Sequence, residues 1–197
     1  MATYASIKYD MDLSSSATGA GGMTLLSTQT ASSSATISFA SSIDSTYKEY
    51  IFKFYDIHPA TDDVKLTVGF RDGSTAYDAT KTTTFFDAEH DEANTATALS
   101  YSTGDDLAQS GSFQPVTKAI GNGNDESCTG TLHLFDPSST TFVKQFYSRA
   151  NMYYSGDHSF DCFMAGYCNT TTAIDGVQFK MSSGNMDAGV IKMYGVS

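Results

Sequence analysis

Asp87-Ala88-Glu89-His90-Asp91-Glu92 is the most charged stretch of the chain, with four carboxylates and one imidazole in six residues. Such a set could hold a cation, and its oxygen donors would favour calcium over zinc. The spacing fits no known calcium loop, and the plainer reading is an acidic loop facing water. Gly121-Asn122-Gly123-Asn124-Asp125-Glu126 offers Asn and Asp oxygens in a glycine-rich turn, where Asn-Gly is turn chemistry first. Ser155-Gly156-Asp157-His158-Ser159 contains the residue types of a nucleophilic triad, but neighbours on an extended chain point apart. Carboxylates drawn from different acidic loops fix neither the separation nor the pKa difference that glycoside cleavage needs. The sequence has no nucleophile elbow, phosphate-binding loop, dinucleotide fingerprint or zinc-hydrolase motif. His58 and His133 read as structural hydrogen-bonding residues. No enzymatic activity, catalytic residue, metal or cofactor is expected.

A second set is aromatic. Tyr147, Tyr153, Tyr154 and Tyr167 cluster in the C-terminal half, in or beside segments that already have an inward-facing set. A surface tyrosine combines an apolar face with a polar tip, which suits protein interfaces and saccharide stacking. Ordinary sheet decoration is the alternative. With Glu89, His90, Asp91 and Glu92, these tyrosines make up the candidate ligand-binding residues. Cys128, Cys162 and Cys168 are odd in number, and Cys162 and Cys168 have the wrong spacing for a zinc knuckle. They read as small buried hydrophobes.

The elements that must position these residues are strands. The 197 residues include 13 Phe and 12 Tyr but no Trp, a composition that suits pleated, half-buried surfaces. Short alternating segments are predicted at 23–28 and 35–39, then at 49–57, where Tyr50, Phe52 and Phe54 share one face. Ser42 to Tyr47 is expected to make one capped helical turn. Strands follow at 64–70, 80–88, 130–135, 141–149 and 159–167. Val177, Phe179 and Met181, then Ile191 and Met193, alternate with polar residues and read as a closing antiparallel hairpin. It ends one residue before the C-terminus, so the domain is expected to be complete. The polar stretch from Glu89 to Glu126 is expected to be a long functional loop system with weak strands at 99–101 and 113–116. About ten short strands without a helix-length amphipathic segment predict an all-β fold, an antiparallel sandwich or barrel.

Charge narrows the partners. Eleven basic and 22 acidic residues give a net charge of −11, which argues against nucleic acid, whose binding depends on Lys and Arg on phosphates. No apolar run approaches a membrane span and the N-terminus lacks a signal-peptide core, so synthesis in the cytoplasm and no membrane partner are expected. Asn169-Thr170-Thr171 is then without meaning as a glycosylation site. Residues 1–22 end in a Ser/Gly-rich linker and are read as an N-terminal arm, with 23–197 as the sandwich domain. Tyr4, Ile7, Tyr9, Met11 and Leu13 are the arm's candidate anchor and assembly residues.

Three stretches carry a resemblance: Ile43-Asp44-Ser45-Thr46-Tyr47-Lys48-Glu49-Tyr50 with Ile57-His58-Pro59-Ala60-Thr61-Asp62-Asp63-Val64, then residues 131–144 around Phe135-Asp136-Pro137-Ser138-Ser139, and finally Ala173-Ile174-Asp175 to Met193-Tyr194-Gly195-Val196. Over residues 23–196 the chain resembles small virion proteins and fibre-tip modules of tailed bacteriophages, notably marine ones. The resemblance implies an antiparallel jelly-roll-like β-sandwich with a short N-terminal arm, displayed on the virion surface, often as a homotrimer. It points to a capsid decoration or cement protein seated on the major capsid protein. The alternative is a receptor-binding module at a tail fibre or tail hub that recognises a host surface glycan or protein.

Overall fold

A computed structural model describes residues 22–197, and the candidate anchor residues Tyr4, Ile7, Tyr9, Met11 and Leu13 lie outside the described residues. The protein is all-β, and two antiparallel sheets form a sandwich. Its strands are β1 (Met23–Thr30), β2 (Ile37–Phe39), β3 (Glu49–Pro59), β4 (Leu66–Arg71), β5 (Lys81–Asp91) and β6 (Thr97–Tyr101), followed by β7 (Gln114–Pro115), β8 (Cys128–Phe135), β9 (Lys144–Tyr154), β10 (His158–Cys168), β11 (Gly176–Met181) and β12 (Met186–Val196). One sheet has eight strands in the order β1-β12-β3-β8-β9-β10-β5-β6, and the other has four in the order β2-β11-β4-β7. β3 pairs with β12, β4 with β11, β5 with β10 and β8 with β9. First-with-last pairing of this kind is the jelly-roll manner of winding.

This nesting corrects the predicted closing hairpin. β11 and β12 are consecutive and alternate as expected, yet they lie in different sheets. β11 pairs with β2 and β4, while β12 pairs with β1 and β3. The turn between them crosses from sheet to sheet, as the connection from β3 to β4 does, and Ser182 N–H is held by Lys65 C=O at 2.8 Å. The predicted helical turn at 42–47 is also absent. Asp44 spends its carboxylate on Thr46 N–H at 2.8 Å and on the Tyr50 hydroxyl at 3.2 Å, which closes a turn and leads straight into β3.

Between the sheets lies one aromatic core. Phe39, Phe52, Phe54 and Phe179 meet at centroid distances of 5.3–6.5 Å, and Phe70 packs on Phe146 at 4.6 Å. All six are buried, so each ring contributes its full apolar area. Paired bulges bend the long strands over this core. The register of β3 shifts between Phe54 and Ile57, where Asp56 has φ 49°, and β12 shifts beside Gly189, which has φ +119°. A Cβ on Gly189 would sit 2.7 Å from Ile57 Cδ1 and 2.8 Å from Asp56 O, so glycine is required there by both conformation and space.

Four strands cannot cover eight. The inner faces of β10 and β5 are closed by the segment from Ser102 to Ile120, part of the expected 89–126 loop system, which adds only the two residues of β7 to the small sheet, at the weak strand predicted for 113–116. Thr83 donates to Gln114 Oε1 at 2.5 Å and accepts from Leu107 N–H at 2.8 Å. Gln114 donates onward to Asp105 C=O at 2.7 Å. Asp105, 2% exposed, pairs with Lys65 and with Lys118 at 3.2 Å, and Lys118 also lies 3.5 Å from buried Asp87. Burial alone would push the Asp105 carboxyl up, but Lys65, Ser102 and Lys118 together hold it below the usual carboxylate range. Val116 and Ile120 are fully buried in the same segment.

Two consequences can be measured by chemical denaturation. Phe179→Ala should cost about 3–5 kcal/mol, the range for emptying a buried phenylalanine site. Asp105→Ala should cost roughly 1.5–3 kcal/mol, because it removes the charged acceptor of Lys65 and one of the two carboxylates facing Lys118; a loss under about 1 kcal/mol would contradict a network that closes the core.

Candidate interaction face

The acidic run is not a loop. Asp87 to Asp91 form the C-terminal half of β5, with Glu92 in the turn beyond, and alternation along the strand splits the run between two sides. Asp87 and Asp91 are buried, Glu89 lies 3.7 Å from His158 Nδ1, and His90 is exposed on the opposite side. Asp91 accepts from the Thr95 hydroxyl and from the N–H groups of Thr95 and Ala96, both at 2.8 Å. These bonds, the Thr95 hydroxyl first, hold its carboxyl down at about 2. Asp91 therefore ties the β5–β6 turn, and Glu92 sits 3.4 Å from the Tyr153 hydroxyl. Among the described residues no three His, Cys, Asp or Glu side chains converge as metal ligands.

The other candidate clusters are likewise occupied by the fold. Glu126 folds its carboxylate back onto Gly123 N–H, inside the Gly121–Glu126 turn, and His58 Nδ1 contacts Glu126 O at 2.7 Å. Around the predicted triad residues, Asp157 accepts from the Tyr153 hydroxyl at 3.0 Å, His158 turns toward Glu89, and Ser159 accepts from Asn151 at 3.0 Å. The three side chains diverge. Cys128, Cys162 and Cys168 are buried and free, and burial pushes the thiols of Cys162 and Cys168 up to about 12. His133 Nδ1 lies 2.6 Å from Glu49 Oε1.

What the strands bring together is a stripe on the outer face of the large sheet. Cross-strand register places Phe163 between Phe86 of β5 and Arg149 of β9, and Tyr101 of β6 beyond Phe86. The Phe86 and Phe163 rings stack at 4.8 Å with planes 4° apart, and the Arg149 guanidinium lies 5.0 Å from the Phe163 centroid. One step along the strands, Tyr147 stacks on His133 at 4.5 Å and approaches Phe135 at 5.7 Å. Phe86, Tyr147 and Tyr101 are 40%, 44% and 53% exposed. These contacts hold the side chains in place, and a surface fixed in this way loses less entropy on binding.

Between the two rows Ala165 leaves a hollow of about 250 Å³, walled by Phe86, Tyr147, Arg149 and Phe163. Its neighbour along β9 and β10, about 350 Å³, lies over Gly130 and is bordered by the polar side chains of Thr131, Arg149, Asn151 and Asp161. Arg149 holds Asp161 through two parallel bonds of 3.0 and 2.7 Å, a bidentate pair that fixes both side chains. At the other end lie Thr82, Thr84 and Tyr167.

Of the four predicted tyrosines, Tyr147 and Tyr167 belong to this face. Tyr153 shares it at the far end, where Asp157 pushes its hydroxyl pKa up to about 12. Tyr154 turns inward and packs edge-on against His158 and Phe160 at 5.8 Å. Phe86, Phe163, Arg149 and Asp161 were not anticipated. Adjacent Phe85 and Phe86 on one strand carried the signal, since only one of the two can face the core.

No protein-family model, curated protein or solved structure matches the chain.

The Asp91 turn yields a pH prediction. A carboxyl held low contributes stability that is present above its unfolded value, near 3.8, and is lost as pH falls through about 2. Carbon-detected NMR should give Asp91 a midpoint of about 2, and Thr95→Ala should move it up toward ~3.9. A midpoint already at the ordinary value in the unmodified protein would contradict the turn geometry.

Proposed function

We propose that the chain is a bacteriophage virion structural protein displayed on the particle surface, a capsid decoration or cement protein that attaches through the outer face of its large sheet. The observation that carries this reading is the Phe86–Phe163–Arg149 and Tyr147–His133 stripe, held rigid and left exposed. Tyr, Phe and Arg presented together on a fixed backbone are what stable protein contacts are built from. The resemblance to small virion surface proteins supplies the setting. A strongly acidic protein repels its own kind at long range, so any self-association would rest on buried apolar contact.

A second reading has its own support. The hydrogen-bonding groups of Thr131, Arg149, Asn151 and Asp161 border the aromatic hollow. That mixture would also suit a host glycan, as a receptor-binding module at a tail fibre or hub would require.

Copy number separates the two. Quantitative mass spectrometry and labelled imaging of purified particles should find hundreds of copies spread over the head. A few copies confined to the tail would overturn decoration in favour of receptor binding. Within the same assay, Phe86→Ser together with Phe163→Ser should leave the circular dichroism spectrum unchanged and weaken attachment roughly 30-fold, the effect of losing about 2 kcal/mol at a hot spot. Unaltered attachment would remove the stripe from the interface.

A further inference from the structure

One cross-strand row runs the full width of the large sheet on its outer face. Register joins Thr28 to Lys192, Lys192 to Lys53, Lys53 to Thr131 and Thr131 to Arg149. It continues from Arg149 to Phe163, Phe86 and Tyr101. The row is cationic over β12, β3 and β9 and aromatic over β10, β5 and β6. The Phe86–Phe163–Arg149 stripe is one half of it, and Lys53 and Lys192 stand in the other.

These two lysines lie directly opposite each other, and like charges so placed destabilise a sheet. Each ammonium leans over a tyrosine of the other's strand, Lys53 Nζ 5.8 Å from the Tyr194 ring and Lys192 Nζ 5.8 Å from the Tyr55 ring. Such a contact favours the charge but leaves the N–H donors open. Among the described residues neither lysine has a carboxylate within 4.0 Å. Acidic residues outnumber basic ones by 22 to 11 in the chain, so a chance neighbour would more often be a carboxylate than a second lysine. Glu49 and Asp161, on the same face, are engaged by His133 and Arg149.

We propose that the outer face of the large sheet takes an acidic protein surface, which sets carboxylates on Lys53 and Lys192 and an apolar side chain on Phe86 and Phe163. Charge complementarity selects the carboxylates. Shape selects a protein, because the eight strands give seven spacings of about 4.8 Å and a row roughly 34 Å long. The face lacks the enclosing cleft that a small ligand or saccharide needs, and three cations on a chain of net charge −11 are too few for nucleic acid. Salt screens the acidic body beyond about 8 Å, so the local cations govern the contact and its orientation. The inference rests on reading this face as the attachment surface and adds the chemistry of what it meets.

Two measurements on the full-length chain test it. In the first, acetyl-hexaglutamate amide is titrated at low salt and followed by NMR of the lysine and tyrosine side chains. The expected result is a saturable shift at Lys53, Lys192, Tyr55 and Tyr194 that disappears on adding salt and is absent when Lys53→Gln and Lys192→Gln are combined. The fold should survive that change, which removes a like-charge repulsion. No shift at these residues, or the same shift in the double variant, would overturn the proposal. Polygalacturonate saturating the site at a far lower carboxylate concentration than the peptide would overturn it in favour of an acidic glycan. In the second, the double lysine variant should attach to purified particles roughly tenfold more weakly at low salt, with a flatter salt dependence. Attachment weakened by Phe86→Ser with Phe163→Ser but unchanged in the lysine variant would overturn the acidic partner and leave the attachment face standing. Peptide binding at the lysines, with particle attachment unchanged in both variants, would support the carboxylate site and overturn the attachment reading alone.

Discussion

The unequal width of the two sheets is the constraint on which the rest of the molecule depends. A four-stranded sheet covers β3, β8 and β9 with Phe39, Phe70 and Phe179, and the inner faces of β10 and β5 extend past it. Something else must exclude water there. The segment from Ser102 to Ile120 does so, but it is polar, and polar groups can be buried only if they are paired. Asp105, Lys118, Lys65, Gln114 and Thr83 satisfy one another. The core thus changes character across the width of the sandwich, from stacked phenylalanines under the small sheet to an ionic and amide network under the margin.

The same overhang shapes the outside. A wide sheet presents a broad outer face, and long strands such as β5, β9 and β10, each of 11 residues, carry several outward positions in fixed cross-strand register. Rings placed opposite one another stack, as Phe86 does on Phe163 and Tyr147 on His133. This makes a rigid surface without a deep cleft, and small residues among larger neighbours open its hollows, Ala165 beside Phe86 and Tyr147 and Gly130 beside Arg149 and Asn151. At its margin the sheet ends in β6, where the ladder is open and uncharged. Interaction surface and open edge are consequences of a single architectural choice.

Much of the fold was legible in the sequence because a two-residue period is a local signal. Tyr50, Phe52 and Phe54 announced the buried side of β3, and Val177, Phe179 and Met181 that of β11. Partnership was not legible. β11 and β12 are joined by a short Gly-Asn turn that suits a hairpin, but each pairs with strands more than a hundred residues away, and nothing in a local pattern encodes that. The acidic run misled for a related reason. Its charge reads as solvent exposure, whereas Asp91 is spent on Thr95 and Ala96 and Asp87 faces Lys118 from inside. Of the candidate face, Tyr147 and Tyr167 could be picked out as aromatic strand residues. Phe163 and Arg149 could not, because their importance comes from lying opposite each other on β10 and β9, a property of register.

The central proposal is that the outer face of the large sheet attaches the protein to a virion. Hydroxyl-radical footprinting of the free protein and of the protein on purified virions reads that face directly, since Phe86, Tyr101, Tyr147 and Phe163 are oxidisable aromatics. The account predicts that these four residues lose most of their reactivity on the particle, while exposed Phe142, off the large sheet's ladder, keeps its own. Unchanged reactivity at Phe86, Tyr147 and Phe163 in the bound protein would contradict it.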